Sequence, residues 1–355
     1  MVRGSELAFR MHCRKYNFKV LYTPMIKSEH IVKGSAEELK LLETCEGDTP
    51  LVAQLSGRDP KTLYDAAKAV IAAFGKNLSA IDLNLGCPQA CAEKGKYGAF
   101  LLEEPEQTSK CIASLCKATK ENSDGDLPVF CKIRIGNTIE ETVRYAKTLM
   151  EAGAKLVAVH CRTRLSKHDG PADYDHAKAL VQKLDIPIVV NGNINSVKGA
   201  HEILQKTGCL AAMSATALLR NPRLLVSPDE MEKMSGEGVA SSLAFEYLSF
   251  CEKYPPPSPL YIRKHFRWIF RNILEPKEPL VTSEDWQKMV NDPDNGWKLK
   301  MWTFLNRPYL VSIAQFKDIC KLYEFKMGIA TNKKRQAIEE VPSFRSIRKK
   351  RAKVE

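Results

Sequence analysis

No run of about 18 consecutive apolar residues occurs in the 355-residue chain, which argues against a membrane-spanning helix. The eleven cysteines contain no C-x-x-C pair; their nearest spacings are Cys87/Cys91 and Cys111/Cys116. No His/Cys grouping has zinc spacing, so no metal is expected. No signal peptide precedes the first charged residues, so reduced thiols in the cytoplasm or nucleus are expected. Acidic residues are in deficit, 42 against 54 Lys and Arg, and the net charge is +12. Nine Lys/Arg against three Glu fall within residues 333–355, so half of that charge sits in the tail. Such a balance points to an anionic partner, nucleic acid first and a membrane surface second. At 44% hydrophobic and 27% charged, the chain is not a disordered one.

What is present is a rhythm. Short, continuously apolar, β-rich runs begin at Phe18, Leu51, Ala80, Val129, Lys155, Ile186 and Leu210. Continuous runs suit strands covered on both faces, and helix-like stretches separate them. Thr138-x-x-Glu141 predicts a capping box for one such helix, closed by Gly153. Seven strands alternating with helices predict a parallel sheet. Polar residues gather at the strand ends: Gln54, Asn84, Lys132, His160 and Asn191. That is where a (β/α)₈ barrel carries its active site, and it favours a barrel over a doubly wound sheet. A barrel also needs a strand before the helix-like SELAFRMHCRKY; either it lies upstream of Met1 or the barrel is incomplete.

Beyond residue 235 the rhythm gives way to helix-like sequence broken by PPPSP. Residues 261–272 predict one helix with Arg263, Arg267 and Arg271 on a stripe and Ile262, Phe266, Ile269 and Phe270 elsewhere. A turn-rich insertion, NDPDNGW, follows. The tail, with RKKRAK at residues 348–353, is expected to be flexible and to serve as a nonspecific RNA contact or a nuclear-localisation patch.

The most specific stretch is DLNLGCPQACAEKGKYGAFLL, residues 82–102. It leaves a strand through Asn84, Gly86, Cys87 and Pro88, and Gly95 and Gly98 permit a loop that can fold over a ligand. With KIRIG, VHCRTR, GPADYDH, VVNGNI and RNP following in order, it resembles the tRNA-dihydrouridine synthases. LNLGCPQ, YGAFL and CKIRI are most similar to the eukaryotic branch acting on tRNA positions 16 and 17.

The resemblance implies a flavin barrel over residues 1–234, a helical tRNA-binding domain over 235–330 and a basic tail over 331–355. It implies FMN as cofactor, NADPH or NADH as reductant, tRNA as partner, and a monomer. In that chemistry hydride passes from flavin N5 to C6 of uracil and a proton goes to C5. Cys87 matches the family acid; a thiol with a pKa about 8.5 is still protonated at working pH. Lys132, Gln54 and His160 match residues beside the flavin. Asn191, Gly192 and Asn193, with Ala215 and Thr216, match the cradle of its phosphate, although Thr216 replaces a common arginine. Asn84, Arg162 and the Arg263/Arg267/Arg271 stripe are the expected substrate contacts. The family's Ala-Pro-Met strand end is represented only by Met1 and Val2, so a truncated start is expected. The rivals are a catalytically impaired RNA-binding flavin barrel and an FMN reductase of small molecules.

Overall fold

The computed structural model describes residues 3–166, 169–226, 238–275, 291–292, 296–306 and 312–327. Two compact units divide the chain: Met1–Arg10 with Asn17–Leu218, and Met11–Tyr16 with Leu219–Glu355.

In the first unit, the run at residues 18–26 makes two short strands instead of the single one expected. β1 (Leu21–Tyr22) and β2 (Ile26–Lys27) both pair in parallel with β3 (Leu51–Ser56), β1 against Leu51 and Val52, β2 against Leu55 and Ser56. Pro24 lies between them and has no N–H to give the ladder. Thr23 fills the break: its hydroxyl accepts the Gln54 amide at 3.0 Å. From β3 the sheet runs in sequence order through β4 (Leu78–Leu85), β5 (Val129–Arg134), β6 (Leu156–His160), β7 (Ile188–Asn191) and β8 (Ala211–Met213). Every pair is parallel. Among the described residues β8 pairs only with β7, and no strand precedes the helix Leu7–Lys15.

Helices Pro60–Phe74, Pro105–Asn122, Ile139–Glu151, Asp175–Lys183 and Val197–Thr207 connect the strands, which gives a TIM-like α/β fold. Both faces of β3 are buried throughout, as its continuous apolar sequence required. The expected capping box at Thr138 is half made. Thr138 accepts the Glu141 amide at 3.2 Å, but the Glu141 carboxylate takes the amide of Asn137, one residue before the cap. Arg10 anchors the first helix from inside the unit: it meets Asp48 at 2.7 Å, and both side chains are almost wholly buried.

The second unit is helical: Gly238–Lys253, Pro259–Ile269, Arg271–Leu274, Gly296–Asn306 and Ile313–Lys326. Phe266 packs on Phe316 and Phe270 on Tyr323, each pair with ring centroids 4.9 Å apart. The helix expected over residues 261–272 is interrupted at Phe270, whose buried ring ends one segment and precedes the next. Glu246 gathers His12 (3.1 Å), Tyr16 (2.5 Å) and Arg223 (2.7 Å) within this unit. Burial alone would raise its carboxyl, but the hydrogen bonds from His12 and Tyr16 and the charge of Arg223 hold it well below the usual range. The basic tail, and residues 293–295 of the turn-rich insertion, lie outside the described residues.

Candidate active site

Parallel register brings the expected polar residues into one row. Gln54 on β3 stands opposite Asp82 on β4, Asn84 opposite Lys132 on β5, and His160 on β6 opposite Asn191 on β7. Alternation along each strand puts Gln54, Asn84 and Lys132 on the same side of the sheet.

Cys87 follows β4 by two residues and is buried. Asn84 accepts its amide at 3.0 Å, and its own carbonyl accepts the amide of Ala99 at 3.1 Å. The thiol is therefore held between a strand end and the loop that returns over it. Burial raises the Cys87 pKa above that of a free thiol, so the group stays protonated near neutrality. Cys91, four residues on, is exposed.

Lys132 donates to Asn191 Oδ1 at 3.1 Å, and Asn191 Nδ2 donates to the carbonyl of Met213 at 2.7 Å. Burial lowers the Lys132 ammonium to about 8. Gln54 and Asn84 are nearly inaccessible and joined at 2.8 Å. His160 is buried with its ring beside Gly192, where an added Cβ would lie 3.2 Å from the imidazole. Gly192 (φ +120°) and Asn193 (φ +53°) both occupy the positive-φ region. Such a turn can form an anion-binding concavity, and the positive φ and close neighbours at Gly192 both favour glycine there. The surrounding donors, Lys132, Arg162 and the turn amides, have the chemistry to meet a phosphorylated, electron-rich cofactor. Ala215 is partly exposed, and Thr216 opens the short helix Thr216–Arg220 instead of lying in a turn.

Arg162 is a brace. Its guanidinium donates to the carbonyl of Gly170 at 2.6 Å and to Asn193 Oδ1 at 2.7 Å, tying the loop after β6 to the turn after β7. In the other unit, Arg267 is exposed over Trp302, while Arg271 stacks on Trp268 and pairs with Glu275 at 2.5 Å. Arg263 is partly buried. Two residues escaped sequence reasoning. Arg134 donates to the carbonyls of Gly86 (2.8 Å) and Thr163 (2.9 Å), and burial brings its pKa to about 10. Asp82 accepts from Gln54 Nε2 at 2.8 Å and is wholly buried. Each was visible as a charge inside an otherwise apolar strand run. Among the described residues no group of three or more His, Cys, Asp or Glu is arranged to hold a metal ion, and no helix is long and apolar enough to cross a membrane.

Residues 1–292 match the family model described as Dihydrouridine synthase (Dus). The chain belongs to the dihydrouridine synthase family. It is 35% identical over 286 residues to a tRNA-dihydrouridine(16/17) synthase-like protein of Rattus norvegicus, NAD(P)(+) in its name, covering 79% of this chain and 60% of the relative. A tRNA-dihydrouridine(16/17) synthase of Saccharomyces cerevisiae is 32% identical over 312 residues, covering 82% of this chain and 71% of its own. A tRNA-dihydrouridine(20a/20b) synthase-like protein of Homo sapiens is 34% identical over 230 residues, 65% of this chain and 70% of that one. The chain thus spans about 60% of the length of the rat relative.

Proposed function

We propose that this dihydrouridine synthase reduces uridine in tRNA to 5,6-dihydrouridine, at D-loop position 16 or 17, with NADPH or NADH as reductant and FMN as resident cofactor. The observation that carries the reading is a buried, protonated thiol, Cys87, held at a strand end within a row of amide and cationic side chains. Bound FMN would supply hydride to C6 of the uracil. The chain's own work is to hold the ring and give a proton to C5, for which Cys87 is the acid. Burial suits it to that task, because an acid must keep its proton until the transition state. Gln54, Lys132 and Asn191 are suited to hold the cofactor ring edge, with His160 beside them, and a cation at Lys132 favours negative charge there. The Asn191–Gly192–Asn193 turn, with Ala215 and Thr216, is suited to its phosphate. Asn84 lines the uracil side, and Arg162 keeps the turn in place. The helical unit, with Arg263, Arg267 and Arg271, grips tRNA phosphates, the basic tail adds nonspecific affinity, and the protein works as a monomer in the cytoplasm or nucleus.

The test is Cys87→Ala assayed on tRNA. Dihydrouridine formation should fall by about 10²–10⁴-fold, while flavin content and flavin reduction by NADPH persist, and Cys91→Ala should be mild. Near wild-type dihydrouridine formation by Cys87→Ala would remove Cys87 from the role. Absence of flavin absorbance in the purified wild-type protein would overturn the cofactor assignment.

A further inference from the structure

A chain of three hydrogen-bonded side chains ends on the Cys87 backbone. Asp82 Oδ2 accepts from Gln54 Nε2 at 2.8 Å. Gln54 Oε1 accepts from Asn84 Nδ2 at 2.8 Å. Asn84 Oδ1 accepts the amides of Gly86 at 3.2 Å and Cys87 at 3.0 Å. All three side chains are buried, Asp82 completely. Its other oxygen, Oδ1, has no hydrogen-bond partner among the described residues.

The two ends of a carboxamide are nearly equal in shape and opposite in hydrogen bonding, so an isolated Gln–Asn pair has two directions of donation. An ionised carboxylate, the form Asp82 takes above about pH 7 and so at the pH 8 of the experiment below, removes the choice, since it only accepts. With Asp82 at the bottom, Gln54 must turn its NH₂ downward and its oxygen toward Asn84. Asn84 must then give its NH₂ to Gln54, and its oxygen is left facing the loop. An Asn84 flipped the other way would present NH₂ to two backbone N–H groups, donor against donor. The alternative role for a buried carboxylate, a salt bridge to Lys132, is not what the geometry shows: Lys132 donates to Asn191 instead.

We propose that Asp82 is a positioning residue which, through the fixed polarity of the Gln54–Asn84 relay, holds the backbone of Cys87 and so the place of its thiol. The catalytic consequence rests on the reading of Cys87 as the acid; the relay itself does not.

The experiment moves the carboxylate one step along the relay. Asp82→Asn is nearly isosteric but restores the ambiguity. Adding Gln54→Glu gives a carboxylate that must accept from both residue 82 and Asn84, which returns Asn84 to its original direction. Alkylation of Cys87 by iodoacetamide at pH 8, followed by peptide mass spectrometry in the full-length wild-type, single-variant and double-variant proteins, reads the loop without using activity. Loss of a buried hydrogen bond should speed alkylation of Asp82→Asn by about tenfold, and the double variant should return to within about threefold of wild type. A wild-type rate for Asp82→Asn, or a double variant as fast as that single one, overturns the proposal. Should Asp82→Asn fail to fold, a folded and protected double variant supports the relay, and an unfolded one counts against it. Dihydrouridine formation by wild type and Asp82→Asn separates the two readings; the double variant is read by alkylation alone, because Gln54 also faces the proposed cofactor. If alkylation of Asp82→Asn rises and its dihydrouridine formation does not change, the positioning stands and the assignment of Cys87 as acid falls.

Discussion

A Cβ on Gly98 would lie 2.8 Å from the carbonyl oxygen of Cys87, and Gly98 has φ +66°. The loop that carries the thiol and the loop that returns over it meet at backbone distance, and only glycine satisfies both the space and the dihedral. Gly98→Ala should cost about 1–3 kcal/mol. Its strain falls on Cys87, so iodoacetamide labelling of that thiol should change more than labelling of Cys91. Urea unfolding together with labelling kinetics checks both; a variant as stable as wild type would show that the two loops can part without penalty.

Asp82 predicts a pH dependence of stability. Burial raises its carboxyl from 3.8 to about 7, against the hydrogen bond from Gln54 and the charge of Lys132; Tyr22 and Cys131 are its other titratable neighbours. The folded state therefore keeps a proton that the unfolded chain has released, and this contribution to stability falls as pH rises from about 4 to about 7. Asp82→Asn removes the slope, so its melting temperature relative to wild type should rise across that interval. Lys132 acts in a separate window with the opposite sign: lowered to about 8, it makes stability rise with pH between 8 and the ordinary lysine value. Parallel melting curves of the two proteins from pH 4 to 8 test the Asp82 contribution.

Glu246 should behave in the reverse way at low pH. Its depressed pKa contributes stability above the unfolded value near 4.5, and that contribution is lost as pH falls below it. Glu246→Ala leaves Arg223, almost fully buried, without its carboxylate, and should cost about 2–4 kcal/mol at pH 7. The deficit should shrink toward pH 3, measured by urea unfolding followed through the helical signal. A constant deficit would mean that packing, not charge, is what Glu246 supplies.

The arginine stripe should divide by partner. If the helical unit grips tRNA, Arg267→Ala should lower the log–log salt slope of tRNA binding by about 0.7–0.9. Arg271→Ala should lower it by less, because Glu275 already balances that guanidinium. The triple change of Arg263, Arg267 and Arg271 should leave flavin content and NADPH oxidation without tRNA unchanged. Filter binding across a salt series decides the matter; an unchanged slope in the triple variant would make the stripe a solvated helix face.

Much of this was readable before any coordinates. The apolar runs from Leu51 onward became β3 to β8, and continuity of apolar residues, a local property of composition, went with burial on both faces in β3 but with only partial burial in β8. Cys87, its asparagine three residues earlier and the Gly98 return were legible because they lie within one short stretch. The break at Thr23–Pro24 was also available in principle, since proline's missing N–H is a property of the residue itself. Tertiary structure alone decided three things. The first was the partner of Asp82, because a charge in an apolar run says only that something must satisfy it, and parallel register is what sets it against Gln54 twenty-eight residues away. The second was the direction of the Gln54–Asn84 hydrogen bond, which depends on that carboxylate. The third was the cluster at Glu246, where Tyr16 meets Arg223 across 207 residues of chain. Sequence determines which groups must be buried or turned; hydrogen bonds between distant segments exist only once strand register and helix packing bring donors and acceptors within 3 Å.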